Sequence, residues 1–231
     1  MVNEADKMID FAYARLNLRF NPFGELDRQQ KIDNAIPRCD VESICEFLSE
    51  RNASNGNFDH CEPAQDKRAV QFIGRPGSGK STHLLMLASR LGNYAYVHIP
   101  QNCRRKIPAR NFLMVDEAQR LTRRQGKHLL PQASRLIIGT HRCFDKRLVS
   151  QGFQVKTIGL DLNPDACWLA NALQRKIESA RREGGTEPPK ISHSTVVKLI
   201  DEFGNNIRGM ERKLYETLHQ ANASSTSVTS L

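Results

Sequence analysis

The run Gly74-Arg75-Pro76-Gly77-Ser78-Gly79-Lys80-Ser81-Thr82 fits the pattern G-x-x-x-x-G-K-[ST] without a mismatch. Glycines in such a run let the backbone turn tightly and bring its N–H groups onto phosphate oxygens, beside a helix N-terminus that favours an anion. Lys80 is then placed to reach the β- and γ-phosphates of a nucleotide, and Ser81 to hold Mg²⁺. A plain Gly-rich turn between a strand and a helix is the competing explanation. The flanks favour the phosphate site: Val70-Gln71-Phe72-Ile73 reads as a short buried strand and Thr82 to Leu91 as a helix.

A second cluster follows the apolar run Asn111-Phe112-Leu113-Met114-Val115, which reads as a strand ending in Asp116-Glu117. Asp116 is expected to enter the Mg²⁺ shell, and Glu117 to orient or deprotonate an attacking water. Acids in the first turn of a helix would look the same from the sequence. A third candidate, Thr140, closes the apolar strand Leu136 to Gly139; if that strand lies between the other two, its tip sits beside the γ-phosphate, because ligands bind at the carboxyl ends of such strands. His141 and Arg142 read as local hydrogen-bonding groups, although Arg142 could reach the nucleotide.

These side chains require a sheet to carry them. Tyr94 to Ile99 and Phe153 to Leu160 supply two more strands, so the expected fold class is a three-layer α/β/α P-loop NTPase with a five-stranded parallel sheet, followed by a small helical lid. Helices are expected over Ala35 to Glu50, Arg120 to Leu130, Asp165 to Glu183, Ser194 to Phe203 and Asn206 to Ala221. The domain reading is an N-terminal extension over 1–17, a nucleotide-binding core over 18–162 with a surface loop at about 51–67, a helical lid over 163–221, and a disordered polar tail over 222–231. One stretch resists: Gln101 to Arg110 is short for the crossover that parallel neighbours need, so either a helix is missing or the second strand is shorter than its pattern. Its Arg104, Arg105, Lys106 and Arg110 either face an anionic partner or form a solvated basic loop.

At 231 residues and 39% apolar content the chain can bury a proper core, which excludes a disordered protein. A net charge of +9 points weakly to an acidic partner such as nucleic acid. The six cysteines are scattered without a C-x-x-C pair, which reads as reduced thiols and a cytoplasmic protein rather than a zinc site. No leader and no membrane-length apolar run stand out, so a soluble, unprocessed chain without a membrane partner is expected.

From Gly74 to Ser81, Phe112 to Glu117 and Thr140, the chain resembles the AAA+ ATPases over roughly Arg19 to Gln220, the three matching Walker A, Walker B and sensor 1. Val115-Asp116-Glu117-Ala118-Gln119-Arg120-Leu121 is similar to the DEAQ-type branch of transposition-helper and ExeA-like ATPases, as is Asn21-Pro22-Phe23. Gly204-Asn205-Asn206-Ile207-Arg208 to Leu214 resembles the sensor-2 helix of origin-recognition and DnaA-type initiators, which makes Arg208 a candidate γ-phosphate contact. The resemblance implies ATP and Mg²⁺ as cofactors, with Gly74, Pro76, Gly77, Ser78, Gly79, Lys80, Ser81 and Thr82 around the nucleotide, Ser81 and Asp116 at the metal, and Glu117, Thr140 and Arg208 in catalysis. It implies an ATP-driven switch on a DNA or protein partner. Two departures stand out: the helix between the second and third strands is almost absent, and no arginine occupies Ser150-Gln151-Gly152, where a finger is expected. Arg147 and then Arg142 are the nearest substitutes, and the oligomeric state stays open. A nucleotide-dependent binding module with little turnover and, more weakly, a P-loop small-molecule kinase are the alternatives.

Overall fold

Lys67–Ile73 forms β1, a strand buried along its middle five residues. It pairs in parallel with β4 (Arg135–Thr140) on one side and β5 (Phe153–Gly159) on the other. With β2 (Ala95–His98) and β3 (Phe112–Asp116) the order is β2-β3-β4-β1-β5, every pairing parallel. All six residues of β4 are buried, as a parallel strand covered on both faces must be, and its sequence is accordingly a nearly continuous apolar run. β4 thus lies between β3 and β1, the order on which the placing of Thr140 depends.

The computed structural model describes residues 13–49 and 66–223. Most of the expected N-terminal extension, the loop at 51–67 and the tail at 222–231 lies outside them. The chain divides into two units, Pro37–Asp161 and the described residues of Met1–Ile36 with Leu162–Leu231. The first holds the sheet, with α2 (Val41–Ser49), α3 (Lys80–Leu91), α4 (Arg123–Leu129) and α5 (Asp145–Val149). The expected helix from Ala35 begins only at Val41, since Pro37 holds the residue before it out of the helical region and the Asp40 carboxylate accepts from the Ser43 N–H. The helix expected from Arg120 starts at Arg123, behind a reciprocal cap between Thr122 and Gln125.

Between β2 and β3 there is no helix. β2 also stops at His98, one residue before the alternation suggests. The connection is held instead by Ile107, buried in the core with Cys103 and Ala109 packed beside it, and by the Gln125 amide, which donates to the carbonyls of Cys103 (3.3 Å) and Arg105 (2.8 Å).

The second unit packs α6 (Ala166–Ser179), α7 (His193–Phe203) and α8 (Ile207–Ala223) around Leu169, Leu173, Val196, Met210 and Leu214. Its short α1 (Arg28–Asp33) buries nothing. Leu18 and Phe23 belong to this helical core. The Asn21 amide donates to the Tyr215 carbonyl (3.1 Å) while its oxygen accepts from the Phe23 N–H (3.1 Å). Residues 18–36, read from the sequence as the start of the nucleotide core, therefore fold with the helices, because their apolar side chains are covered by α6 and α8.

Candidate nucleotide site

The loop after β1 is drawn tight by its own atoms. The Gly74 N–H donates to the Thr140 carbonyl (3.1 Å), and the Arg75 N–H to the Asp161 carboxylate (2.9 Å). A Cβ on Gly74 would overlap Ser78 Oγ and stand 3.2 Å from Leu160 Cβ, so only glycine fits there. Gly79, at φ 92°, turns the chain through the left-handed region into α3. Pro76 is exposed, Gly77, Ser81 and Thr82 are half-buried, and Lys80 is 95% buried. The Lys80 ammonium donates to the carbonyls of Gly74 (2.6 Å) and Arg75 (2.8 Å), so the charge is stored inside the loop. Ser78 Oγ is buried with no hydrogen-bond partner among the described residues. A buried hydroxyl without a partner costs about 1–3 kcal/mol. A stored ammonium, an orphaned hydroxyl and a glycine cradle together fit a polyphosphate.

His83, one turn into α3, fixes the loop from behind. Its Nε2 accepts from the Arg38 N–H (3.0 Å), which leaves Nδ1 to carry the proton and donate to the Gly79 carbonyl (2.9 Å). The ring is buried, and burial holds its pKa below the ordinary histidine value.

At the neighbouring strand ends stand the acids. Asp116, 2% exposed, closes β3. One carboxylate oxygen accepts from the Glu117 N–H (3.0 Å), the other from the Tyr96 hydroxyl (3.0 Å), with His98 Nδ1 at 3.5 Å. This orients an acid at the carboxyl edge, where a Mg²⁺ bound to phosphates would be reached with Ser81. Glu117 sits at φ 60°, a left-handed conformation that costs a non-glycine residue on the order of 1 kcal/mol. Thr140 ends β4 fully buried; its carbonyl touches the loop, while its hydroxyl donates to the Arg142 carbonyl (3.0 Å) and accepts from the Arg142 N–H (3.1 Å).

No family model matches the chain, and no curated protein matches it. Solved structures do. A RuvB variant from Thermotoga maritima is similar over 70% of this chain and 58% of its own, at 16% identity and a TM-score of 0.53. A second RuvB variant from the same organism gives 0.52 at 14% identity over the same shares. Drosophila ORC bound to DNA covers 99% of this chain and 64% of its own, at 13% identity and a TM-score of 0.50. The chain has the AAA+ fold. It spans 58% of the length of the RuvB chains it matches.

Within the AAA+ sheet, adjacent strands β1, β4 and β3 bring the loop Gly74–Ser81, Thr140 and Asp116-Glu117 to one edge. Arg208 is in the helical unit, exposed in the first turn of α8, just beyond Asn206, whose side chain accepts from the Gly209 N–H (3.1 Å). Arg147 is folded onto its own unit: its guanidinium stands 5.9 Å from the Phe144 ring and fills the space a Cβ on Gly126 would need. Arg142 is exposed.

Several side chains at the site escape the sequence reading. Glu117 is engaged: one carboxylate oxygen accepts from Gln119 Nε2 (2.7 Å) and pairs with Arg120 (2.9 Å), with His141 Nε2 at 3.7 Å. Arg120 is anchored in turn on the Ile99 carbonyl (3.0 Å). Gln71, wholly buried in β1, donates to Asp145 and to Thr157 Oγ1 (2.8 Å) and accepts from the Phe144 N–H (2.9 Å), tying down the segment behind Thr140. The alternation of β2 puts Tyr96 and His98 on one face and could have flagged both. Among the described residues no group of three histidine, cysteine or acidic side chains could hold a metal, the five cysteines are free thiols, and no helix is long and apolar enough to cross a membrane.

Proposed function

We propose that the chain binds ATP with Mg²⁺ at the loop Gly74–Ser81, hydrolyses it, and uses the nucleotide state to switch a DNA or protein partner. The observation that carries this reading is the convergence of Lys80, Asp116 and Thr140 at the carboxyl edge of three adjacent parallel strands. Gly74, Pro76, Gly77, Ser78, Gly79 and Thr82 cradle the phosphates, Lys80 neutralises them, and Ser81 and Asp116 hold the metal, which supplies charge neutralisation when bound. Glu117 accepts the proton of the attacking water once it leaves Arg120 and Gln119. Thr140 and Arg208 read the γ-phosphate, the latter on the resemblance of its helix alone. Mg²⁺ and ATP suit the donor set of buried carboxylate, hydroxyl and loop amides. A DNA-bound ORC among structures of the same fold supports DNA as a partner class.

A specific observation favours a second reading, a nucleotide-dependent binding module: Glu117 is neutralised by Arg120 at 2.9 Å. Phosphate release by wild type and Glu117→Gln, with and without duplex DNA, separates the two. Turnover lost in Glu117→Gln with ATP affinity kept supports hydrolysis. Binding without turnover in wild type supports the module, and no ATP binding by wild type refutes both. Lys80→Ala should abolish binding, and Arg208→Ala should spare binding more than turnover.

A further inference from the structure

Charge along this chain is not spread evenly. Between Asp66 and Asp145 the only acids are Asp116 and Glu117, against fifteen lysines and arginines. This stretch therefore carries +13, while the whole chain carries +9, leaving −4 for all the rest. Two pieces of it concentrate the excess. The connection from Ile99 to Asn111 exposes Arg104, Arg105 and Lys106, and α4 exposes Arg123, Arg124 and Lys127. The pieces are fastened together by Gln125, 7% exposed, whose amide donates to the Cys103 and Arg105 carbonyls while its oxygen accepts from Thr122. Ile107 and Leu129 bury the undersides of both. Some surface cations elsewhere are paired, as in Arg90–Glu42, Lys176–Glu211, Lys190–Glu187 and Arg212–Glu216. Among the described residues none of the six is in an ion pair.

We infer that this face, the helix-less β2–β3 connection seated on the start of α4, is a docking surface for the phosphate backbone of duplex DNA. Six like charges on two pieces fastened together repel one another, and a dense anion relieves that repulsion. Four of the six are arginines, whose planar forks match phosphate oxygens. Neither piece carries a Phe, Tyr or Trp, so the face lacks the stacking platforms that single strands require, and the rigid duplex backbone is the ligand it suits. The missing helix has a consequence here: it leaves the basic residues on a short, pinned connection. This deepens the proposed ATP-driven switch by naming its partner, and rests on that reading for what the contact regulates.

The test is anisotropy of a fluorescent 30-base-pair duplex against the full chain over 50–200 mM salt, with binding of a fluorescent ATP analogue followed on every variant. Six phosphate contacts predict a slope of log K on log salt of about −5, roughly a thousandfold loss across that range. Arg123→Glu/Arg124→Glu should weaken duplex binding by about tenfold or more and flatten the slope by about 2, with analogue affinity within about twofold. The control, Lys198→Glu/Lys213→Glu in the helical unit, makes the same change in net charge and should leave duplex binding within about twofold. Equal loss in the control, or none in Arg123→Glu/Arg124→Glu, overturns the assignment. Tighter binding to poly-L-glutamate than to duplex overturns it in favour of an acidic protein. Loss of analogue binding by wild type would instead strike the nucleotide reading, and duplex binding that persists there would leave the face standing.

Discussion

Replacing Arg120 with alanine should raise basal ATP turnover. In the structure Arg120 lies 2.9 Å from the Glu117 carboxylate and is anchored on the Ile99 carbonyl at 3.0 Å, so it is a fixed restraint rather than a wandering surface cation. The two side chains are 30% and 16% exposed. Exposed pairs contribute about 0–1 kcal/mol and hydrogen bonds to charged groups about 1.5–3, so a pair of this burial is worth about 1.5 kcal/mol. If Glu117 must leave Arg120 to take a proton, that restraint holds the competent arrangement down by about tenfold, since about 1.4 kcal/mol corresponds to tenfold in rate. Gln119, at 2.7 Å, keeps its own bond, so the gain in Arg120→Ala should be a few-fold to tenfold. The measurement is phosphate release at saturating ATP, beside the dissociation constant of a fluorescent analogue, which should not move. Turnover that stays level or falls, at unchanged affinity, would refute the reasoning: Arg120 would then be holding Glu117 where the chemistry needs it.

Three further outcomes follow from the same geometry. Gly74→Ala drives a methyl group into Ser78 Oγ and against Leu160; overpacking of this kind costs about 1–3 kcal/mol, seen as a melting temperature lower by several degrees and as weakened ATP binding. Tyr96→Phe removes one donor from Asp116, a loss of about 1 kcal/mol, and should raise several-fold the Mg²⁺ needed for half-maximal turnover without changing metal-free nucleotide binding. His83 has its pKa lowered from 6.5 by burial, so the unfolded chain binds the proton more readily; its contribution is complete above about pH 6.5 and declines as pH falls from there towards the lowered folded value. Urea melts at pH 7.5 and 5.5 should show that decline in wild type, and a smaller one in His83→Gln.

What could be read from the sequence was local. The loop pattern, the strand before it and the helix after it lie within two dozen residues, and each obeys its own periodicity. The parallel sheet is legible as three apolar runs, one alternating run and the mixed run Phe153 to Leu160, and the sheet order supplies the neighbour relation between β1, β4 and β3 that Thr140 needs. What could not be read depends on register across the fold. Tyr96 meets Asp116 only because His98 is paired opposite Asp116 in β2 and β3. Gln71 looks like a polar interruption of an apolar strand until β5 brings Thr157 opposite it. α5 is five residues long, too short for any periodicity to announce it. Residues 18–36 are next to the nucleotide core along the chain, but their place is decided by helices more than a hundred residues further on.

That last arrangement bears on how the protein is made. The helical unit is assembled from both ends of the chain, with Pro37–Asp161 inserted between them. As the chain leaves the ribosome, the sheet unit has all of its strands well before α8 exists and can fold first, since units generally fold as they emerge. Leu18 and Phe23 must meanwhile wait, uncovered, for α6 and α8. A chain released before α8 is complete would carry a finished nucleotide loop and an unfinished helical core, and its exposed apolar segment is the sort of surface that chaperones and proteases recognise.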